Sequence, residues 1–247
     1  MNKVNKYKFL LGDFKTVANT INNKIGERKT TVILPCSLHD LAQAKNNSFY
    51  NNIDIYTTDS MWLTWWFRSK NDFIIDRVYG PNLMILILEK IKNKKFSSVF
   101  LGANSQALRN LRKKTLNKNH SQHYLLIKKS DSNKKEQEIL NTIIKIQPDV
   151  LWIGIGSPKQ AELATKLKIK LTKTTIFCVG AAFDFITNNK SQAPKYVQQC
   201  GLEWLFRLIT EPKRLWKRYL IVIPNFIFST IIKKLFMFNQ PSRQIKK

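Results

Sequence analysis

Three short segments carry side chains able to do chemistry, and each directly follows a β-rich apolar run. The first is Thr57-Thr58-Asp59-Ser60-Met61, after Ile53–Tyr56. A carboxylate at a strand-to-helix junction either caps the following helix, satisfying its free N–H groups, or points into a cleft as a general base. The second is Gly154-Ile155-Gly156-Ser157-Pro158-Lys159-Gln160, directly after Val150–Ile153. Small residues there let a ligand approach the backbone, Pro158 suits a first helical turn, and the N–H groups of that turn attract phosphate. Lys159 and Gln160 add a charge and an amide. The spacing is neither GxGxxG nor GxxxxGK[ST], so an ordinary tight turn stays open as the alternative. The third is Gly180-Ala181-Ala182-Phe183-Asp184-Phe185, after Thr175–Val179, where Asp184 is either a ligand group or a structural cap. Leu101-Gly102-Ala103-Asn104 repeats the theme. Several such ends on one sheet imply a nucleotide-sized cleft, because open α/β sheets bind ligands at the carboxyl ends of their strands.

What is missing narrows the chemistry. No two Asp stand at i, i+2, so the DxD device that holds a divalent metal on a nucleotide diphosphate is absent. The three histidines are His39, His120 and His123, and the last two fall in a polar stretch between elements. A His-based zinc site or a Ser-His-Asp triad is therefore poorly supported. Cys36, Cys178 and Cys200 stand far apart, odd in number and without a CxxC pair, which fits a reducing cytosol. Arg109, Arg112, Lys113 and Lys114 read as a solvated helix face.

The elements that must position these residues follow from periodicity. Apolar runs at Lys8–Leu11, Thr31–Leu34, Ile53–Tyr56, Ser98–Leu101, Tyr124–Ile127, Val150–Ile155 and Thr175–Val179 predict strands. Helical spacing predicts helices over Phe14–Ile25, Leu83–Lys94, Ser105–Leu116, Lys134–Ile146 and Pro158–Leu167. Strands alternating with helices predict an α/β fold with a mostly parallel sheet. The 247 residues, 43% of them apolar, suffice for a large core and exclude a disordered chain. The division expected is an α/β domain over residues 1–193 and a C-terminal appendage over 194–247. Residues 201–247 carry ten Lys/Arg against two Glu, interleaved with aromatics, which predicts a helical, basic, amphipathic segment able to lie on a membrane.

No apolar stretch of signal-peptide length opens the chain, so secretion is not expected. The longest uncharged apolar run, Tyr219–Ile232, has 14 residues and contains Pro224, too short to span a bilayer. Overall, 42 Lys/Arg oppose 16 Asp/Glu, a formal +26, so a nucleic acid, an anionic lipid or a phosphorylated substrate is expected as a partner. The basic excess runs through the whole chain with no nucleic-acid reader motif, so no nucleic-acid partner is expected. Exposed apolar faces of the expected kind serve membrane docking and self-association alike, which leaves a homo-oligomer open.

In this order, Asp59-Ser60-Met61, Arg77-Val78-Tyr79-Gly80-Pro81, Leu101-Gly102-Ala103, Pro148-Asp149, Gly156-Ser157-Pro158-Lys159-Gln160, Gly180–Phe185, Ala193-Pro194-Lys195, Gly201–Arg207 and Glu211–Leu220 resemble the TagA/WecG/CpsF family of bacterial glycosyltransferases. The resemblance implies a Rossmann-like α/β domain and a C-terminal helical, basic, membrane-associating appendage. It implies inverting transfer of a sugar, of N-acetylmannosamine type or a related hexose, from a UDP-sugar to a polyprenyl-diphosphate-linked sugar. The products would be surface glycans such as teichoic acid, common antigen, capsule or O-antigen. The enzyme would need no metal or other cofactor and would sit peripherally at the cytoplasmic face of the bacterial inner membrane, an anionic surface.

Carried over by residue, Asp59 takes the catalytic-base position. Gln160 and Asp184 fall near the UDP, with Gly102, Gly156, Ser157, Pro158, Lys159 and Gly180 in the same donor region. Thr58, Arg77, Arg207, Arg214 and Arg218 fall to the acceptor and its diphosphate, for which the guanidinium fork suits phosphate oxygens. Departures from the family pattern are Ser60 for Gly, Ala161 for Glu and Asn82 for Asp, and Ile33–Ser37, including Cys36, lacks an Asn frequent near the acceptor pocket. The rival readings are a nucleic-acid-binding protein and a non-catalytic homologue that only docks on lipid.

Overall fold

A computed structural model describes residues 2–4, 7–116, 121–128 and 130–238. Among these, eight strands form one sheet: β1 (Asn2–Val4), β2 (Tyr7–Phe9), β3 (Thr31–Cys36), β4 (Ile55–Thr58), β5 (Ser98–Gly102), β6 (Gln122–Leu126), β7 (Val150–Gly154) and β8 (Thr175–Cys178). Their order is β1-β2-β4-β3-β8-β7-β5-β6. Only the edge pair β1–β2 is antiparallel; every other pairing is parallel. The chain divides into two compact units, Met1–Gln192 and Ala193–Lys247.

The first unit also holds α1 (Phe14–Asn22), α2 (Leu38–Ala44), α3 (Met61–Arg68), α4 (Gly80–Ile91), α5 (Ser105–Thr115), α6 (Asn133–Ile146), α7 (Lys159–Lys168) and α8 (Ala182–Ile186). The second holds α9 (Lys195–Gln199), α10 (Glu203–Thr210), α11 (Pro212–Trp216) and α12 (Ile223–Phe238), with a π-helical stretch over Lys217–Val222. Among the described residues, no helix is long and apolar enough to cross a membrane. The α/β class and the mostly parallel sheet are as the sequence predicts. β6 starts two residues earlier than its apolar run, because pairing with β5 sets its register from Ser98↔Gln122 to Gly102↔Leu126.

Strand residues point alternately to two faces, and each face has its own core. Val32, Leu34, Leu151, Ile153 and Ile176 meet Leu63 and Phe67 of α3, Leu140 and Ile143 of α6, and Leu163 and Leu167 of α7 on one face. Ile33, Phe100, Trp152 and Phe177 meet Val17 and Ile21 of α1, Leu83 and Ile87 of α4, Leu108 and Leu111 of α5, and Phe183 of α8 on the other. On that second face Phe177, Trp152, Phe100 and Tyr124 stand in register on four adjacent strands. Their ring centroids follow one another at 4.3, 6.4 and 4.9 Å, so the aromatic stack fixes the relative register of β8, β7, β5 and β6.

Helices that follow adjacent strands leave on opposite faces through the middle of the sheet. Those after β3 and β7 (α2 and α7) cover the first face, and those after β8 and β5 (α8 and α5) cover the second. A parallel sheet opens a crevice at its carboxyl edge wherever this reversal occurs. Here the reversals fall between β3 and β8, between β8 and β7, between β7 and β5, and between β5 and β6, whose following helix α6 covers the first face. The three chemistry-bearing segments end at this edge.

Candidate functional site

Asp59 follows the last residue of β4. The cap of α3 is its neighbour Ser60, whose hydroxyl accepts from Leu63 N. Asp59 instead turns to a different helix: its Oδ1 accepts from Gly80 N at 2.8 Å, at the start of α4. Tyr79, the capping residue of α4, makes no side-chain cap bond, so the carboxylate fills that role from 21 positions away. The capping residue of the helix that follows Asp59 is thus Ser60, while Asp59 holds the start of α4. Its main chain is fixed as well: Asp59 N donates to Cys36 O at 3.0 Å, and Arg77 Nε donates to Asp59 O. The Arg77 guanidinium lies over the Tyr79 ring at 4.2 Å. Thr58 is buried and its hydroxyl donates to Asp76 O at 2.9 Å, which holds the 76–78 segment against the strand end.

A side chain on Gly80 would lie within 4 Å of Asp59 Oδ1, Val179 O and Pro35 Cβ. This places Asp59 beside the ends of β3 and β8. From Gly180 a chain of polar contacts crosses to β7. Gly180 N donates to Gln160 Oε1 at 2.9 Å, and Gln160 Nε2 donates to Ser157 Oγ at 3.2 Å and to Cys178 O at 3.4 Å. Ser157 Oγ in turn donates to Asp40 Oδ1. Asp40 Oδ2 accepts from Ser37 N at 2.8 Å and from Ser37 Oγ at 2.6 Å, a capping box at the start of α2. Gln160 and Asp40 are each only 4% exposed, so this network braces three strand ends from within.

The remaining donor-region residues divide by role. Gly156 has φ +87° and nothing within 4 Å of where a side chain would stand, so it combines a left-handed turn with open space. Ser157–Pro158 is a cis peptide, and Gln160 N bonds back to Gly156 O at 3.0 Å. Lys159 pairs with Glu136 of α6 at 2.6 Å. Gly102 and Gly154 have a packing reason to lack side chains: a methyl group there would come within 3.1 and 2.7 Å of the Phe183 ring. Asp184 Oδ1 accepts from Asn104 Nδ2 at 3.1 Å, and its Oδ2 lies 3.9 Å from Lys190 Nζ. Asn104 also caps α5 through Gln106 N and Ala107 N, so the ends of β5 and β8 are tied together.

Sequence reasoning missed Asp40, although Ser37-Leu38-His39-Asp40 has capping-box spacing. It passed over Asn104 as a partner of Asp184, and no local signal links residues 80 positions apart. Burial pushes the Cys36 thiol well up, and the nearby negative charges of Asp40 and Asp59 add to it. Cys178 is raised for the same reasons, burial first and then Asp40. Thiols held protonated are poor nucleophiles. Among the described residues, no group of three or more His, Cys, Asp or Glu is placed to hold a metal ion. His120 lies outside the described residues.

In the second unit, Arg207 lies on α10 and Arg214 on α11. Arg214 forks onto Glu211, Nε at 2.7 Å and Nη2 at 2.8 Å. Arg218 lies in the π-helical stretch with its guanidinium 5.5 Å from the Tyr219 ring centroid.

A doubly covered, mostly parallel sheet with a carboxylate, glycine turns and buried polar braces at its carboxyl edge defines an α/β protein of open-sheet type. The model of the Glycosyl transferase WecG/TagA/CpsF family matches residues 3–240, and the chain belongs to that family. It is similar to two proteins named N-acetylglucosaminyldiphosphoundecaprenol N-acetyl-beta-D-mannosaminyltransferase. One, from Bacillus spizizenii, is 26% identical over 63% of this chain and 59% of the relative. The other, from Bacillus subtilis, is 27% identical over 68% of this chain and 64% of the relative. A UDP-Gal:alpha-D-GlcNAc-diphosphoundecaprenol beta-1,4-galactosyltransferase from Shigella boydii is 31% identical over 53% of each. In each case the match spans less than two thirds of the relative's length.

Proposed function

We propose that this chain is an inverting glycosyltransferase that moves a hexose, of N-acetylmannosamine type or related, from a UDP-sugar to a polyprenyl-diphosphate-linked sugar. The observation that carries the reading is Asp59. A half-buried carboxylate stands at the carboxyl edge of a doubly covered sheet, with its main chain fixed by Cys36 and Arg77 and one oxygen steadied by Gly80. Support comes from family membership and from relatives whose names specify lipid-diphosphate-linked acceptors.

In the proposed step, the acceptor hydroxyl oxygen attacks the anomeric carbon of the donor while Asp59 takes its proton. The bond from that carbon to the UDP oxygen breaks, UDP leaves with the electron pair, and the configuration inverts. The open turn at Gly156, with Ser157, Pro158 and Lys159, receives the UDP-sugar, and Gly102, Gln160, Gly180 and Asp184 shape that region. Thr58 and Arg77 set the acceptor side. Arg207, Arg214 and Arg218 meet diphosphate charge, Arg214 by exchanging Glu211 for phosphate oxygens. The chain works peripherally at the cytoplasmic face of the inner membrane in surface-glycan synthesis. Residues 194–247 dock on anionic lipid through exposed apolar groups such as Ile209, Leu220 and Phe228 and through their basic side chains.

Asp59→Asn tests the reading, because an Asn Oδ1 still accepts from Gly80 N while the base is lost. Acceptor-dependent UDP release should fall about 10²–10⁴-fold with UDP-sugar binding retained. Turnover near that of the unaltered chain would remove Asp59 from the mechanism.

A further inference from the structure

We propose that the outer face of α3 and the loop after it form a membrane-contact surface for anionic bilayers, built into the first unit itself. α3 carries apolar side chains on its outer as well as its inner side, with Thr64 buried and Arg68 closing its last turn. Its inner side buries Leu63 and Phe67, while Trp62, Trp65 and Trp66, at i, i+3 and i+4, stand 51, 37 and 38% exposed. A surface helix normally turns a polar face to water, so an apolar outer face needs a partner. The loop extends the same surface. Arg68 Nε donates to Ile75 O at 2.6 Å and Asn71 Nδ2 to Phe67 O at 2.8 Å. Held there, the loop presents Phe73 and Ile74, 48 and 73% exposed.

Composition and charge choose the occupant. Three indoles within five residues suit the headgroup level of a bilayer, where the ring is buried and the N–H stays wet. The Lys70 ammonium sits 4.4 Å from the Trp66 ring centroid, so a cation for lipid phosphate is already seated on the aromatic surface. A second copy of this chain would bring another +26 to the same contact, whereas an anionic bilayer attracts that charge. α3 begins two residues after Asp59, so contact here brings the base toward lipid-linked acceptors; this last point rests on the proposed function.

The test uses the full chain with Trp204→Phe and Trp216→Phe, leaving the α3 indoles and the fully buried Trp152. Vesicles of phosphatidylglycerol and phosphatidylcholine carrying brominated acyl chains should quench and blue-shift its tryptophan emission. In the otherwise unaltered chain, Trp62→Gln/Trp65→Gln/Trp66→Gln should lower vesicle partitioning about tenfold or more at an unchanged circular dichroism spectrum. Its UDP release with a short, water-soluble acceptor should stay as in the unaltered chain. Protein that floats with vesicles yet shows no bromine quenching overturns the proposal. So does a concentration-dependent mass that the triple substitution abolishes, which makes the face a contact between copies. Absence of UDP release from the unaltered chain would sink the transferase reading alone, because the quenching measurement does not depend on catalysis.

Discussion

Replacing Gln160 with Leu separates two roles for this amide, ligand contact and internal brace. The substitution keeps the volume but removes all three hydrogen bonds, leaving Gly180 N, Cys178 O and Ser157 Oγ without this partner. A buried group that loses its partner costs about 1–3 kcal/mol, and Gly180, only partly buried, recovers some of that from water. With Gly180 N set aside, the other two groups sum to about 2–6 kcal/mol, which for a chain of this size lowers the thermal midpoint by roughly 4–24 °C. Gln160→Glu should do no better, because its carboxylate would face Cys178 O and lie one hydroxyl from Asp40. The assay pairs calorimetric unfolding with UDP-sugar affinity, both on the full chain. An unchanged midpoint with affinity abolished would refute the brace argument and make Gln160 a direct ligand group.

Gly154→Ala places a methyl group 2.7 Å from the Phe183 ring and should destabilise by about 1–3 kcal/mol, read as a lower thermal midpoint; an unchanged midpoint would refute the packing account of that glycine. Iodoacetamide should label exposed Cys200 in the native chain and spare buried Cys36 and Cys178, as mass spectrometry of peptides would show. Because the folded state raises the Cys36 and Cys178 thiols, their contribution to stability is complete below the unfolded thiol value, about 8.5. It declines as pH rises past that value, so the unfolding midpoint should fall in alkali. A midpoint that rises there would contradict the assigned direction.

The sheet and most of its helices were legible because fully buried parallel strands such as Thr31–Cys36 read as continuous apolar runs. α2 was not, since its seven residues give too few turns for a period to register. Its role was hidden for a further reason: Asp40 meets Ser157 117 positions away, and only the neighbouring of β3, β8 and β7 brings them together. Asp59 stood out as chemistry, yet its partner could not be read from sequence, because Ser60 is an equally good cap and takes the adjacent helix. Glycines were legible as turns but not by purpose. Gly154 and Gly156 differ by two positions, one making room for Phe183 and the other leaving space open. The π-helical stretch at Lys217–Val222 ends two residues before Pro224, which supplies no N–H; the proline was visible, but not the wider turn before it.

Among the described residues β8 is the last strand in sequence, and it lies in the middle of the sheet, between β3 and β7. Until residues 175–178 emerge from the ribosome, the molecule can hold only two separate ribbons, β1-β2-β4-β3 and β7-β5-β6, each with a bare inner edge. Thr31 waits for Thr175, 144 positions later, which at translation speeds of about 5–20 residues per second is roughly 7–30 s. During that interval the buried inner edge of β3, joined by that of β7 only 25 positions before Thr175, offers unpaired backbone to any passing chain, the condition that favours aggregation. The nascent protein should therefore depend on chaperone cover until its keystone arrives, and a chain stopped before Thr175 should collect in the insoluble fraction.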